Sequence, residues 1–118
     1  MGIIVHGIAN CDTVKRARAW LAAAAAQVEF VDFKKAALNA AQLDAWLACV
    51  PWERLLNRQG TTWRKLSDAQ RAAVVDAASA KALMLANTSV IKRPVVRWAD
   101  GHISVGFDPA GWAVRLKA

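Results

Sequence analysis

Two cysteines and two histidines are all that the 118 residues hold of these types. Cys11 and Cys49 are too few for a disulfide-dense framework, and with His6 and His102 they match no spacing of a Cys/His zinc site. No metal is therefore expected. No stretch reaches the roughly 18 unbroken apolar residues of a membrane span. The opening Met1-Gly2-Ile3-Ile4-Val5-His6 lacks the basic-then-apolar pattern of a secretory leader, so a cytoplasmic protein with reduced thiols is the expectation. Acidic residues are the minority, 9 against 16 Lys and Arg, giving a net charge of +7. That balance suits an anionic partner. The basic residues are dispersed, however, and no basic tract points to nucleic acid.

What the chain does have is apolar material. Hydrophobic residues make up 56% and charged residues 21%, enough for a core, although alanine at 22–26 and 36–48 inflates the figure. Ile3 to Val5 reads as a buried strand ending at Gly7. A loop through Cys11 follows, and Val14, Ala17, Leu21 and Ala24 then share one face of a helix predicted to run to about Ala26. Val28 to Phe33 alternates as a second strand. Helices are predicted from Asn39 to Cys49, through Trp52–Leu56, from Ser67 to about Ala77, and from Ser79 to Ala86, with a turn at Asn57–Gly60. Val90 to Val96 reads as extended chain entering a strand. Asp100-Gly101 is a hairpin turn signal, Ile103 to Phe107 the returning strand, and Asp108-Pro109 the start of a last helix.

The order is β-α-β, a helical block, then β-β-α. This is the connectivity of a thioredoxin-like four-stranded mixed sheet, an α/β fold in one domain over residues 1–118, with a helical insertion at about 37–88. In that frame Cys11 falls directly after the first strand, at the entrance to the first helix. Unpaired N–H groups and the partial positive charge of a helix start favour thiolate over thiol, and the thiolate is the nucleophile. A free cysteine taken by itself is as well explained by burial; the strand–loop–helix context turns the reading toward chemistry. Cys49, beside Leu47 and Val50 on an apolar helix, reads as core packing.

Arg93-Pro94 is the second signal. A proline opening the third strand of such a fold is expected to be cis, bringing its loop against the thiol. Arg93 is then expected to hold an anion there, although a solvated arginine at a strand end is the plainer alternative. The six tryptophans read as core or half-buried residues, and His6 and His102 as strand residues. Two readings of Gly60–Leu66 stay open. Trp63 and Arg64 form one wall of a substrate groove, or Thr61 or Thr62 caps a short turn while Trp63 packs the inserted helices.

Three stretches carry a resemblance to a known family: Gly7-Ile8-Ala9-Asn10-Cys11-Asp12-Thr13-Val14-Lys15-Arg16-Ala17, Gly60-Thr61-Thr62-Trp63-Arg64-Lys65-Leu66, and Ile91-Lys92-Arg93-Pro94. The chain resembles the ArsC/Spx family of thioredoxin-fold proteins over nearly its whole length, most closely the YffB subgroup. The resemblance implies a bacterial cytoplasmic protein in which Cys11 is reactive, and for this subgroup a glutathione-dependent thiol reductase. No cofactor would be bound; glutathione would be the cosubstrate and would supply the resolving thiol. Asn10, Thr13 and the amides after Cys11 would stabilise the sulfur anion, and Lys15 would lower the thiol pKa. Arg93 would orient an anionic group. Pro94 would expose its neighbouring backbone to a peptide-like substrate.

Two alternatives follow from the same resemblance. Arsenate reductases of the family add a set of arginines around the oxyanion. Arg93 matches one, Arg58 nearly matches a second, and Val105-Gly106-Phe107 stands where a third is expected; Arg97, before the hairpin, is no substitute. The Spx-like regulators bind RNA polymerase and carry a Cys-x-x-Cys switch. Here Val14 takes its second position, which excludes that switch.

Overall fold

The structure, a computed structural model, describes residues 2–117. The chain divides into two compact units, one made of Met1–Ala36 with Arg93–Ala118, the other of Ala37–Lys92.

The first unit is built on a sheet in the order β2-β1-β3-β4. Its strands are β1 (Ile3–Gly7), β2 (Val28–Asp32), β3 (Val95–Arg97) and β4 (Ile103–Val105). β1 pairs parallel with β2 and antiparallel with β3, and β3 pairs antiparallel with β4. This is the mixed thioredoxin-like sheet expected from the sequence. A parallel pair needs a crossover, and α1 (Asp12–Ala23) supplies it. Being central, β1 is buried at Ile3, Val5, His6 and Gly7. The apolar stripe of α1, Val14, Ala17 and Leu21, is buried as well.

Ile3, Val5, Ala17, Leu21, Val96, Trp98 and Trp112 form the core cluster of this unit. Trp112 comes from α7 (Pro109–Lys117) and meets the Trp98 ring edge to face at 5.4 Å. Asp108 starts α7 as expected, its carboxylate accepting the Gly111 N–H at 3.2 Å, and Pro109 occupies the first helical position. In the hairpin, Gly101 takes φ +90°, and Asp100 accepts the His102 N–H at 2.9 Å.

The second unit is helical: α2 (Ala40–Cys49), α3 (Trp52–Leu55), α4 (Thr61–Arg64), α5 (Asp68–Ala72), α6 (Ala77–Ala86) and a 3-10 turn at Thr88–Val90. Leu43, Trp46, Leu55, Ala80, Met84, Val90 and Ile91 are buried, and α6 packs on both α2 and α3. The exit is tied down by the Asn57 N–H on the Val90 carbonyl at 2.7 Å and the Lys92 N–H on the Leu55 carbonyl at 2.8 Å. Among the described residues, no helix is long and apolar enough to cross a membrane.

Several boundaries differ from the sequence reading, each for a local reason. α1 stops at Ala23 because Ala25 adopts the left-handed conformation, φ +57°, and the Ala26 N–H returns to the Leu21 carbonyl at 3.1 Å. α5 ends at Ala72 and α6 begins at Ala77, since Asp76 and Ser79 form a reciprocal capping box that places Ser79 inside the helix. Val90 closes a 3-10 turn, and Ile91 makes only an isolated bridge to Leu56. β4 ends at Val105, where Gly106 turns to φ +88°. Neither Thr61 nor Thr62 caps α4; Gly60 holds that position without a side-chain bond. Cys49 is exposed rather than in the core, because α2 buries the face carrying Leu43 and Trp46. His6 lies in β1 as expected, whereas His102 precedes β4 and is exposed.

Candidate active site

Cys11 is the residue that enters α1. Its backbone is extended (φ −143°, ψ 123°), and its carbonyl accepts the Lys15 N–H at 2.9 Å, the first bond of the helix. The side chain therefore stands at the mouth of the helix, half-buried. Val14, one turn in, is fully buried. Gly7 makes room for it: a Cβ on Gly7 would lie 2.9 Å from Val14 Cγ2. The glycine at the end of β1 thus sets how closely the start of α1 approaches the sheet.

The electrostatics of the thiol are a balance of opposed effects. Burial pushes its pKa up. The Val14 N–H, the Arg93 guanidinium by hydrogen bond and by charge, and the Thr13 N–H together outweigh burial and hold the thiol below its ordinary value. Cys11 makes no side-chain capping bond; the unpaired N–H groups of a helix start favour a thiolate there.

Arg93 is half-buried and precedes a cis peptide bond to Pro94, as expected from the sequence. The Pro94 carbonyl accepts the Gly106 N–H at 2.9 Å, and Val95 pairs with His6 on one side and Val105 on the other. The backbone following the proline is thus paired within the sheet.

The other expected site residues divide. Thr13 acts on the sulfur through its backbone N–H. Asn10 and Lys15 are exposed, and Arg93 acts on the thiol by charge. Arg58 belongs to the second unit, exposed, with its guanidinium 5.7 Å from the centre of the Trp52 ring. Trp63 is half-buried and Arg64 exposed.

The sequence reading missed Asp32. Its carboxylate accepts the Ala9 N–H at 3.0 Å and the Lys34 N–H at 2.9 Å. Its pKa lies below the ordinary carboxyl value, first because of the Ala9 bond. The available signal was that an aspartate ending one parallel strand lies level with the loop leaving its neighbour. Among the described residues, no three His, Cys, Asp or Glu side chains are grouped to hold a metal ion.

The ArsC family model matches residues 6–114. The chain belongs to the ArsC family. An ArsC-related protein from Brucella melitensis, named as arsenate reductase related, is 50% identical, with a TM-score of 0.78 over 100% of this chain and 97% of its own. The YFFB protein is 43% identical, with a TM-score of 0.90 over 97% and 98% of the two chains. An uncharacterised protein of Haemophilus influenzae is 36% identical over 106 residues, 90% of this chain and 91% of its own.

The arginine set expected of an arsenate reductase is matched only in part. Arg93 acts on the sulfur, but β4 and the Gly106-Phe107 that follow carry no arginine. Arg97 pairs with Ile4 near the start of β1, whereas Cys11 follows the end of that strand at Gly7. A side chain at the far end of the strand does not replace the missing one.

Proposed function

We propose that this ArsC-family protein is a glutathione-dependent monothiol reductase with Cys11 as its nucleophile. The observation that supports the reading is Cys11 at the entrance of α1, where Arg93 and the first amides act on its thiol in the direction that favours the thiolate.

The Cys11 thiolate attacks the glutathione sulfur of a mixed disulfide. A bond forms between the Cys11 sulfur and that sulfur, and the substrate thiolate leaves with the electron pair of the broken disulfide. A second glutathione thiolate attacks the Cys11–glutathione disulfide, releasing oxidised glutathione and restoring the Cys11 thiolate. Arg93 and the Thr13 and Val14 amides stabilise negative charge on sulfur, and Arg93 orients a carboxylate of glutathione as well. In this reading glutathione supplies the resolving thiol; Cys49, the other thiol, is exposed at the end of α2. The cycle needs no bound cofactor or metal. It requires a reducing compartment, which for this protein we take to be the cytoplasm.

Arsenate reduction and polymerase binding are weaker readings, the first because the arginine set is incomplete, the second because buried Val14 stands where a switch would need its second cysteine. The test is reduction of a small glutathione mixed disulfide by excess glutathione, with arsenate assayed in parallel. Activity that disappears in Cys11→Ser and persists in Cys49→Ser is expected. Equal rates for wild type and Cys11→Ser would remove the proposal. Capture of RNA polymerase by both would favour the regulator.

A further inference from the structure

The loop Ile8–Asn10 joins the end of β1 to Cys11 and, among the described residues, pairs with no strand. At its level the neighbouring β2 ends in Asp32, paired with Gly7, and the Phe33 N–H extends the ladder onto the Gly7 carbonyl at 3.0 Å. The chain then turns, with the Lys35 and Ala36 N–H groups on the Asp32 carbonyl at 3.1 and 2.9 Å. One carboxylate oxygen accepts the Lys34 N–H within this turn; the other crosses to the Ala9 N–H. A local turn needs only the first bond. The second reaches the loop two residues before the nucleophile.

We propose that Asp32 is a positioning residue for Cys11. Its carboxylate straps the Ile8–Asn10 loop to the end of β2, and so sets where the sulfur stands relative to the Thr13 and Val14 amides and the Arg93 guanidinium. The inference rests on the reading of Cys11 as the nucleophile. The charged groups that act on the two residues are Arg93 on the thiol and Lys35 on the carboxylate.

A charge effect and a positioning effect have opposite signs here. Removing a carboxylate near a thiol favours the thiolate and lowers the alkylation midpoint. Loosening the strap moves the sulfur away from its donors and raises the midpoint. Asp32→Asn keeps the shape but leaves a single acceptor oxygen, and Asp32→Ser keeps a hydroxyl for the Lys34 turn but is too short to reach Ala9. Both variants are expected to raise the pH midpoint of Cys11 alkylation by about one unit, an approximately tenfold slower reaction below both midpoints.

Asn39→Ala, which weakens α2 in the second unit, serves as a destabilised control and should leave the midpoint in place. An unchanged or lowered midpoint in folded Asp32→Asn or Asp32→Ser overturns the proposal. Wild-type protein supplies a measurement independent of variant folding: the Ala9 amide proton shift should titrate with the Asp32 carboxyl, and an Ala9 amide indifferent to that titration also overturns it. If the wild-type midpoint is itself that of an ordinary thiol, the nucleophile reading fails instead, a separate result.

Discussion

Arg93, the residue before Pro94 and the third strand, acts on the thiol of Cys11, the residue before the first helix, by charge and hydrogen bonding in the direction that favours the thiolate. With the amides of α1 it overcomes the burial that would otherwise keep the thiol protonated.

Arg93→Ala removes both a donor and a full positive charge from the thiolate. The Cys11 alkylation midpoint is expected to rise, and the rate at neutral pH to fall by up to about tenfold, one unit of midpoint. Arg93→Lys should recover part of the loss, because it restores charge without the planar fork of donors. Alkylation with iodoacetamide across pH, followed by mass spectrometry at Cys11, measures this.

Gly7→Ala tests how α1 is seated. Its new Cβ would meet Val14 Cγ2 at 2.9 Å and Cγ1 at 3.2 Å, and Val14 is β-branched and fully buried. A loss of about 1–3 kcal/mol is expected from such overpacking. Because Val14 also supplies an amide to the sulfur, the thiol midpoint should rise with it. Adding Val14→Ala should recover part of the stability, measured by urea denaturation.

Asn39→Ala probes the second unit. The Asn39 side chain accepts the Gln42 N–H at 2.8 Å and caps α2. Its loss is expected to cost about 1 kcal/mol. Thiol reactivity should not change, which a paired denaturation and alkylation experiment would establish.

Asp32 and Asp76 make stability depend on pH in a stated direction. Both carboxyl groups have folded pKa values below the ordinary one, through the Ala9 bond in the first case and the Ser79 bonds in the second. Their contribution is fully present above the unfolded value, about 3.9, and is lost as pH falls through the lower folded values. The urea midpoint should therefore decline below about pH 4. Asp76→Asn should make that decline shallower.

Much of this protein is legible from local pattern. The short apolar run Ile3–Val5, the helical stripe Val14–Ala17–Leu21, the Asp100-Gly101 turn and the Asp108-Pro109 helix start are each decided by neighbours in the chain, and the structure holds them where expected. Cys11 at the helix entrance belongs with them, since its position depends only on where a strand ends and a helix begins. Boundaries such as Ala72 and Ala77 were less legible, because two reciprocal side-chain bonds at Asp76 and Ser79 decided them.

The rest depended on which strands lie side by side. Asp32 meets Ala9 only because β1 and β2 are parallel and in register at Gly7, and Arg93 meets Cys11 only because β3 lies antiparallel to β1. Cys49 shows the converse: an apolar stretch of sequence left it exposed, since a helix of that composition has more apolar residues than its packed face can cover. Local order set the sulfur at the head of a helix, whereas its ionisation required an arginine and amides that sequence distance does not bring together and sheet topology does.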